Sequence, residues 1–255
     1  MTMLNYKVMG SGRPVIILHG LFGMLDNWQT VAKVLAERYQ VWLIDQRDHG
    51  KSPHTEAFDY ELLAQDLYDF VTEHQIEDPI VIGHSMGGKV AMAYCSQHPH
   101  QIAKLIVVDI APKTYKGGHE EIFKALLDLD LSSIVERDQV YQHLSDRIDE
   151  ESTRQFLMKN LQRNPEGGYQ WKMNINLLYA SYQSILDSPS LAEMNFTPTL
   201  FVAGARSNYI LPEDEPDIHR YFPNAEILFI PDAGHWVHAE KPNELIEAVF
   251  AFIES

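Results

Sequence analysis

The 255-residue sequence lacks the features that mark several classes of protein. It has a single cysteine, Cys95, so it cannot form an internal disulfide or a cysteine-based metal cluster. It has 20 basic residues against 36 acidic ones, and the net charge of −16 repels phosphate backbones and anionic lipid headgroups. No apolar run approaches the roughly 18 residues that a membrane span requires. These absences argue against nucleic-acid binding and against membrane association.

The N-terminal sequence also lacks the basic stretch and apolar segment of a signal peptide, so we expect a cytoplasmic protein. Hydrophobic residues make up 45% of the chain and charged residues 22%, which is typical of a globular protein. A chain of this length buries roughly three-quarters of its unfolded surface, so it needs neither disulfide nor metal for stability. We expect a monomer or a weak homodimer.

Six short apolar runs are typical of buried strands. They are Val15–Leu18, Val41–Ile44, Ile80–Ile82, Leu105–Val108, Thr199–Ala203 and Ile227–Ile230. Such runs, without polar alternation, indicate a parallel sheet that helices cover on both faces. Amphipathic stretches such as Trp28–Tyr39 and Tyr60–Val71 lie between them. The alternation predicts a doubly wound α/β fold.

The alternation stops at about residue 112, and helical patterns dominate from there to residue 194. These patterns are Glu120–Leu129, Ser133–Leu144, Glu150–Leu161 and Ile175–Leu186. Ser133 with Glu136 is typical of a capping box that opens the second of them. We interpret residues 112–194 as a helical cap inserted into a core domain formed by residues 1–111 and 195–255.

The motif G-x-S-x-G occupies residues 83–87, between the predicted strand Ile80–Ile82 and the helical stretch Lys89–Gln97. In this context the turn is so tight that glycine is needed on both sides of the serine. The helix that follows directs its N-terminus towards the oxyanion that forms during acyl transfer. The alternative is a glycine-rich turn with an incidental serine, but the strand–turn–helix context favours Ser85 as a nucleophile.

A serine nucleophile needs a base, and the sequence offers twelve histidines. His235 is the best candidate because it follows the last predicted strand, as the base does in hydrolases with this motif. We interpret the neighbouring His238 as structural. The sequence contains no H-E-x-x-H motif or other zinc-binding spacing, so nothing in it supports metal catalysis.

The oxyanion hole requires backbone N–H donors. A His-Gly turn at residues 19–20 follows the first long strand, and such a turn supplies one donor. We therefore predict that the N–H groups of Leu21 and Met86 bind the substrate oxygen. The residues expected to line the substrate pocket are Phe22, His84 and Trp236.

These motifs resemble the α/β-hydrolase superfamily. The matching segments are HG at 19–20, DQRDHGKS at 45–52, GHSMGG at 83–88 and GHWVHAEKP at 234–242. The segments HGLFG, VVDIAP and GHWVHAEKP also resemble a small subgroup of bacterial esterases of the YbfF type. The resemblance implies a mostly parallel eight-stranded sheet flanked by helices, a helical cap and no cofactor. It also implies hydrolytic chemistry. Dehalogenases and epoxide hydrolases of this fold carry aspartate at the position of Ser85, so the serine argues against both and favours acyl transfer to water.

The acid of the triad departs from the common pattern. Most relatives place an aspartate three residues after the glycine that follows the post-cap strand, and Ser207 occupies that position here. Asp109 is our candidate because it ends the strand Leu105–Val108 at the carboxyl edge of the sheet, and the subgroup resemblance indicates the same residue. The alternatives are an aspartate that only caps a turn, or an acid at Glu213 or Asp214. On this interpretation Ser207→Ala costs little activity.

The sequence therefore predicts a serine hydrolase that cleaves small-molecule carboxylic esters, or thioesters, of small to medium acyl chains through an acyl-enzyme. Two alternatives stay open. One is a hydrolase of the same fold that cleaves a carbon–carbon bond. The other is a ligand sensor that hydrolyses its signal slowly.

Overall fold

The computed structural model describes residues 2–192 and 194–255. The strands are β1 (Tyr6–Met9), β2 (Pro14–Leu18), β3 (Gln40–Ile44), β4 (Ile80–His84), β5 (Lys104–Val108), β6 (Leu161–Arg163), β7 (Tyr169–Trp171), β8 (Thr199–Gly204) and β9 (Ala225–Ile230). Seven of them form one sheet in the order β1-β3-β2-β4-β5-β8-β9, and β6 and β7 form a separate hairpin. Only β1 is antiparallel to its neighbour in the large sheet. This is the α/β architecture that the sequence predicted.

Helices cover both faces of the sheet. The α-helices of the described residues are α1 (Gln29–Leu35), α2 (Tyr60–Glu73), α3 (Met86–Gln97), α4 (Glu120–Leu127), α5 (Arg137–Ser145), α6 (Glu151–Met158), α7 (Ile175–Ala180), α8 (Tyr182–Leu186), α9 (Glu215–Tyr221), α10 (Val237–Glu240) and α11 (Pro242–Glu254). Of these, α4 to α8 lie in the segment between β5 and β8. Val15 and Ile17 pack with α1 and α11 on one face, whereas Ile16 and Leu18 pack with α2 and α3 on the other. The central strands are thus buried on both sides, as their continuous apolar runs indicate.

The sheet has seven strands, one fewer than the eight expected. All six apolar runs form strands of this sheet. The seventh strand, β1, lies at the edge of the sheet and is largely exposed, so no apolar run predicts it. The described residues ahead of β1 form no further strand. There the Asn5 carbonyl accepts a hydrogen bond from the Asp45 amide, and the Asn5 amide donates to the Ser52 hydroxyl. These bonds hold the chain against the loop after β3 instead of in a ladder.

Residues 112–194 lie between β5 and β8, and we call them the insertion. They differ from the predicted helices in three places. The helix predicted over Glu150–Leu161 ends at Met158 as α6, and Leu161 instead begins β6. The turn between β6 and β7 uses two glycines with positive φ, Gly167 and Gly168. The stretch Ile175–Leu186 forms two helices, α7 and α8, which meet at Ser181.

The third difference is the start of α5. Ser133 lies in a short 3-10 turn, and α5 begins at Arg137, where the Gln139 side chain accepts a hydrogen bond from the Glu136 amide. The capping interaction therefore lies one turn later than the sequence suggested. None of the helices in residues 2–192 and 194–255 is both long and apolar enough to cross a membrane.

Candidate active site

Ser85 lies at the sharp turn between β4 and α3. Its backbone has φ 51° and ψ −121°, a conformation that residues with a side chain rarely adopt. A Cβ atom on Gly83 would lie 2.2 Å from the Gly87 carbonyl oxygen, and one on Gly87 would lie 2.5 Å from the His19 carbonyl oxygen. Both positions therefore require glycine, as the motif predicted, and the turn presents Ser85 at the carboxyl edge of the sheet.

His235 connects Ser85 to Asp109. Its Nε2 atom lies 3.0 Å from Ser85 Oγ, and its Nδ1 atom lies 2.7 Å from Asp109 Oδ2. Because a carboxylate can only accept, Nδ1 carries the proton, and Nε2 is free to accept the hydrogen bond of the serine hydroxyl. The three side chains follow β4, β5 and β9, so the structure brings the three predicted residues into one continuous hydrogen-bonded chain.

The Asp109 carboxylate is fully buried and accepts two further hydrogen bonds. The Gly204 amide donates to Oδ1 at 2.9 Å, and the Ser207 hydroxyl donates to Oδ2. Ser207, which the sequence suggested was dispensable, thus occupies the usual position of the acid and contacts the displaced one. The alternative acid Asp214 instead pairs with Lys113, at 2.5 Å, and accepts from the Leu211 amide.

Aromatic rings and imidazoles enclose His235. The Tyr209 ring stacks on it at 3.8 Å between centroids, and His84 Nε2 donates to its carbonyl oxygen at 2.9 Å. Burial, with weaker repulsion from His238 and His235, holds the pKa of His84 well below its usual value. Burial likewise lowers the pKa of His238 to about 3. Both rings are therefore neutral near pH 7, and they add no positive charge beside His235.

Two cavities meet at Ser85. The large cavity encloses about 730 Å³ and the small cavity about 370 Å³, each including space open to solvent. Leu21, Ser85 and His119 line both of them. The three predicted pocket residues Phe22, His84 and Trp236 line the large cavity. The small cavity is lined by Tyr60, Met86, Lys89, Ile110, Tyr115, Gly117, Ile185, Leu186 and Tyr209, together with the shared residues.

His119, from the insertion, lines both cavities, as Ser85 does, and sequence reasoning missed it. Its amide and Nδ1 atom contact the Tyr182 hydroxyl at 2.9 and 3.1 Å, and burial lowers its pKa to about 4. No motif surrounds His119, so only the fold could identify it. Among the described residues, no group of three or more His, Cys, Asp or Glu side chains is arranged to bind a metal ion.

Known proteins share this architecture. Residues 13–242 match the family model of the alpha/beta hydrolase fold. The chain is 37% identical to the sn-1-specific diacylglycerol lipase ABHD11 of Danio rerio, with 98% of this chain and 82% of that protein covered. It is 35% identical to esterase YbfF of Escherichia coli, with 94% of this chain and 92% of that protein covered, which confirms the predicted resemblance.

A solved structure shows the same similarity in three dimensions. The structure of a marine microorganism esterase matches this one with a TM-score of 0.97 at 40% sequence identity, and the match covers 99% of this chain and 100% of that one. The family model and these relatives match the chain along nearly its whole length. The chain belongs to the α/β-hydrolase fold family.

Proposed function

We propose that this protein is a serine hydrolase that cleaves carboxylic esters through an acyl-enzyme on Ser85. The observation that carries the proposal is the hydrogen-bonded chain from Ser85 Oγ through His235 to the buried Asp109 carboxylate. A hydroxyl with a base at 3.0 Å, itself oriented by a carboxylate, is the arrangement that activates a serine for acyl transfer. Esterase and lipase are also the activities named for the relatives.

The reaction uses each group of this chain in turn. Ser85 Oγ attacks the ester carbonyl carbon while its proton passes to His235 Nε2. The tetrahedral intermediate collapses, the bond to the alcohol oxygen breaks, and Nε2 returns the proton to that oxygen. Water then repeats the sequence at the acyl-enzyme, with Nε2 again as base, and releases the acid. Asp109 stays ionised throughout and holds the imidazole in the required tautomer.

The backbone around Ser85 supports the predicted oxyanion hole. Met86 is the first residue of α3, so its amide has no acceptor within its own helix. Leu21 belongs to a turn in which the Gly23 amide donates to the Gly20 carbonyl oxygen at 2.9 Å, and it lines both cavities beside Ser85. N–H groups from these two residues would stabilise the negative charge on the substrate oxygen.

We infer small to medium acyl chains, from esters or thioesters, because both cavities are walled by apolar and aromatic side chains and are limited in size. The net charge of −16 disfavours large polyanionic substrates, coenzyme A thioesters among them.

The test is turnover of a p-nitrophenyl ester panel, together with labelling by a fluorophosphonate. We expect turnover, one label per chain on Ser85, and loss of both in Ser85→Ala. Ser133→Ala, which removes an exposed hydroxyl from the insertion, is the matched control and should keep both. An inert panel with an unlabelled Ser85 would overturn the proposal, and a stable acyl adduct without turnover would favour the sensor.

A further inference from the structure

The two cavities differ in their access to His235. Ser85 lines both cavities, whereas His235 lines the large cavity and not the small one. On the other side the Tyr209 ring, which lines the small cavity, stacks on the imidazole at 3.8 Å between centroids. A leaving group must receive its proton from His235 Nε2, so its oxygen has to lie on the side where that atom is accessible. The alcohol part of the substrate therefore belongs in the large cavity.

Three polar side chains that line the small cavity, those of Lys89, Tyr60 and Tyr115, already have hydrogen-bond partners within the protein. The Lys89 ammonium donates to three successive carbonyl oxygens, those of residues 185–187, at 3.2, 2.8 and 2.7 Å. The Tyr60 hydroxyl donates to the Ile185 carbonyl oxygen at 2.6 Å, and the Tyr115 hydroxyl donates to that of Tyr209 at 2.7 Å. Because these donors are already used, the small cavity favours an apolar guest without substituents.

The wall of the large cavity carries more polar groups. Asn27 and Thr153 line it, together with the imidazoles of His19 and His84. The Thr153 hydroxyl donates to Glu150 Oε2 at 2.9 Å, and its oxygen can still accept a hydrogen bond. The large cavity therefore favours a guest that carries hydroxyl groups.

We propose that the small cavity binds the acyl chain and the large cavity binds the alcohol part of the substrate. The substrates are esters of a short, unsubstituted fatty acid with a larger alcohol that carries hydrogen-bonding groups. This assignment rests on the proposed ester hydrolysis and adds to it which cavity selects which half of the molecule. It predicts that the two halves can be altered separately.

Chain length tests the small cavity. Ile110 lines the small cavity and Ile122 the large one, so Ile110→Ala and Ile122→Ala make the same change on the two sides of Ser85. With p-nitrophenyl esters from acetate to decanoate, Ile110→Ala should favour longer acyl chains. The ratio of kcat/KM for the longer esters to kcat/KM for the shorter ones should rise by at least about tenfold. Ile122→Ala should leave the preferred length where it is. Ile110→Val serves as the milder change if the alanine variant fails to fold.

The acyl-enzyme gives a second measurement, because the alcohol has already left it. Stopped-flow assays with butyrate esters of different alcohols should give one common deacylation rate. That rate should change in the small-cavity variant Ile110→Ala and stay unchanged in Ile122→Ala.

A matched pair of alcohols tests the large cavity. We expect 2,3-dihydroxypropyl butyrate to have a higher kcat/KM than pentyl butyrate, which has a chain of similar size without hydroxyl groups. Thr153→Val keeps the shape of the side chain and removes the hydroxyl, so it should reduce this preference by up to about tenfold. An equal effect of Thr153→Val on both butyrates would show that Thr153 is only structural and overturn the polar assignment.

The outcomes separate this proposal from the one on which it rests. Absence of ester turnover, with Ser85 unlabelled, contradicts the proposed function. Turnover in which Ile122→Ala moves the preferred acyl length, while Ile110→Ala does not, leaves ester hydrolysis standing and reverses the assignment of the cavities.

Discussion

The core and the insertion contribute to the site in different ways. The core supplies the candidate reacting groups from strand ends. It also buries polar side chains in the loop after β3, namely Asp45, Gln46, Arg47, Asp48, His49 and Ser52. The insertion supplies mainly apolar walls, among them Ile122 and Phe156. We therefore expect the proposed chemistry to depend on hydrogen bonds within the core, and substrate selection to depend on how the insertion is held against it.

Several polar contacts hold the insertion near the site, and three of them come from Lys89, Asn160 and Asn174. The Lys89 ammonium binds carbonyl groups at the end of α8, and the Asn160 side chain donates to the Phe22 carbonyl oxygen at 2.7 Å. The Asn174 side chain donates to Asp48 Oδ1 at 2.9 Å. Changes in the core should therefore reduce kcat, and changes at these contacts should alter selectivity and stability.

The largest effect is expected at the acid. Asp109→Asn removes the charge that stabilises the imidazolium and allows the wrong tautomer of His235, so kcat should fall by about 10³–10⁴ with the fold intact. Steady-state kinetics and circular dichroism measure the two quantities. Asp214→Asn is the matched control, and it should keep most of the activity because Asp214 pairs with Lys113. Loss in Asp214→Asn with retention in Asp109→Asn would identify a different acid.

The next effect concerns the join between core and insertion. Lys89→Met leaves the Asp187 carbonyl without its donor, whereas the Ile185 and Leu186 carbonyls keep the Tyr60 hydroxyl and the Tyr115 amide. The free energy of unfolding should therefore fall by about 1–3 kcal/mol. Acyl selectivity should broaden as the wall of the small cavity loosens. Urea denaturation and the p-nitrophenyl panel measure both.

Lys104 offers a matched control outside the site. Its ammonium donates to the Phe252 and Ile253 carbonyl oxygens at the end of α11, at 2.7 and 3.3 Å. Lys104→Met should lower stability less, since this side chain is partly exposed, and should leave acyl selectivity unchanged. Equal changes in acyl selectivity for Lys89→Met and Lys104→Met would show that the contacts of Lys89 do not determine the shape of the small cavity.

Acid should weaken the core through its buried histidines. Burial lowers the pKa of His19 to about 4 and that of His49 to about 3. Below pH 6.5 the unfolded chain binds protons at these sites and the folded chain does not, so stability falls as the pH falls from about 6.5 towards 4. At pH 5 each histidine should cost about 2 kcal/mol. His49→Gln should flatten the dependence of the unfolding free energy on pH, and an unchanged slope would contradict this.

The smallest effect is expected at Ser207, and the structure revises the view that this side chain is dispensable. Its hydroxyl donates to Asp109 Oδ2, so Ser207→Ala should reduce kcat by about tenfold with little change in KM. Ser207→Thr keeps the hydroxyl and should retain most of the activity. A KM effect without a kcat effect would indicate that Ser207 does not position Asp109.

The strands and the position of the candidate nucleophile could be predicted because their signals are local. A continuous apolar run indicates a buried strand, and G-x-S-x-G indicates its own turn. Asp109 required a topological argument, since it is identified by the strand it ends. The hairpin of β6 and β7, His119 and the contact of Ser207 with Asp109 depend on tertiary packing between distant segments. Periodicity over a few residues cannot detect such contacts.

Asp109 contacts residues that lie before and after the insertion in the sequence. β4 and β5 pair in register, and the Ser85 amide donates to the Val108 carbonyl oxygen at 3.0 Å, so nucleophile and acid are neighbours on adjacent strands. The same carboxylate binds groups on the far side of the insertion, at Gly204, Ser207 and His235. One side chain thus joins the two stretches of chain that the insertion separates. None of these hydrogen bonds involves residues 112–194, so the insertion can differ in length without separating Ser85, Asp109 and His235.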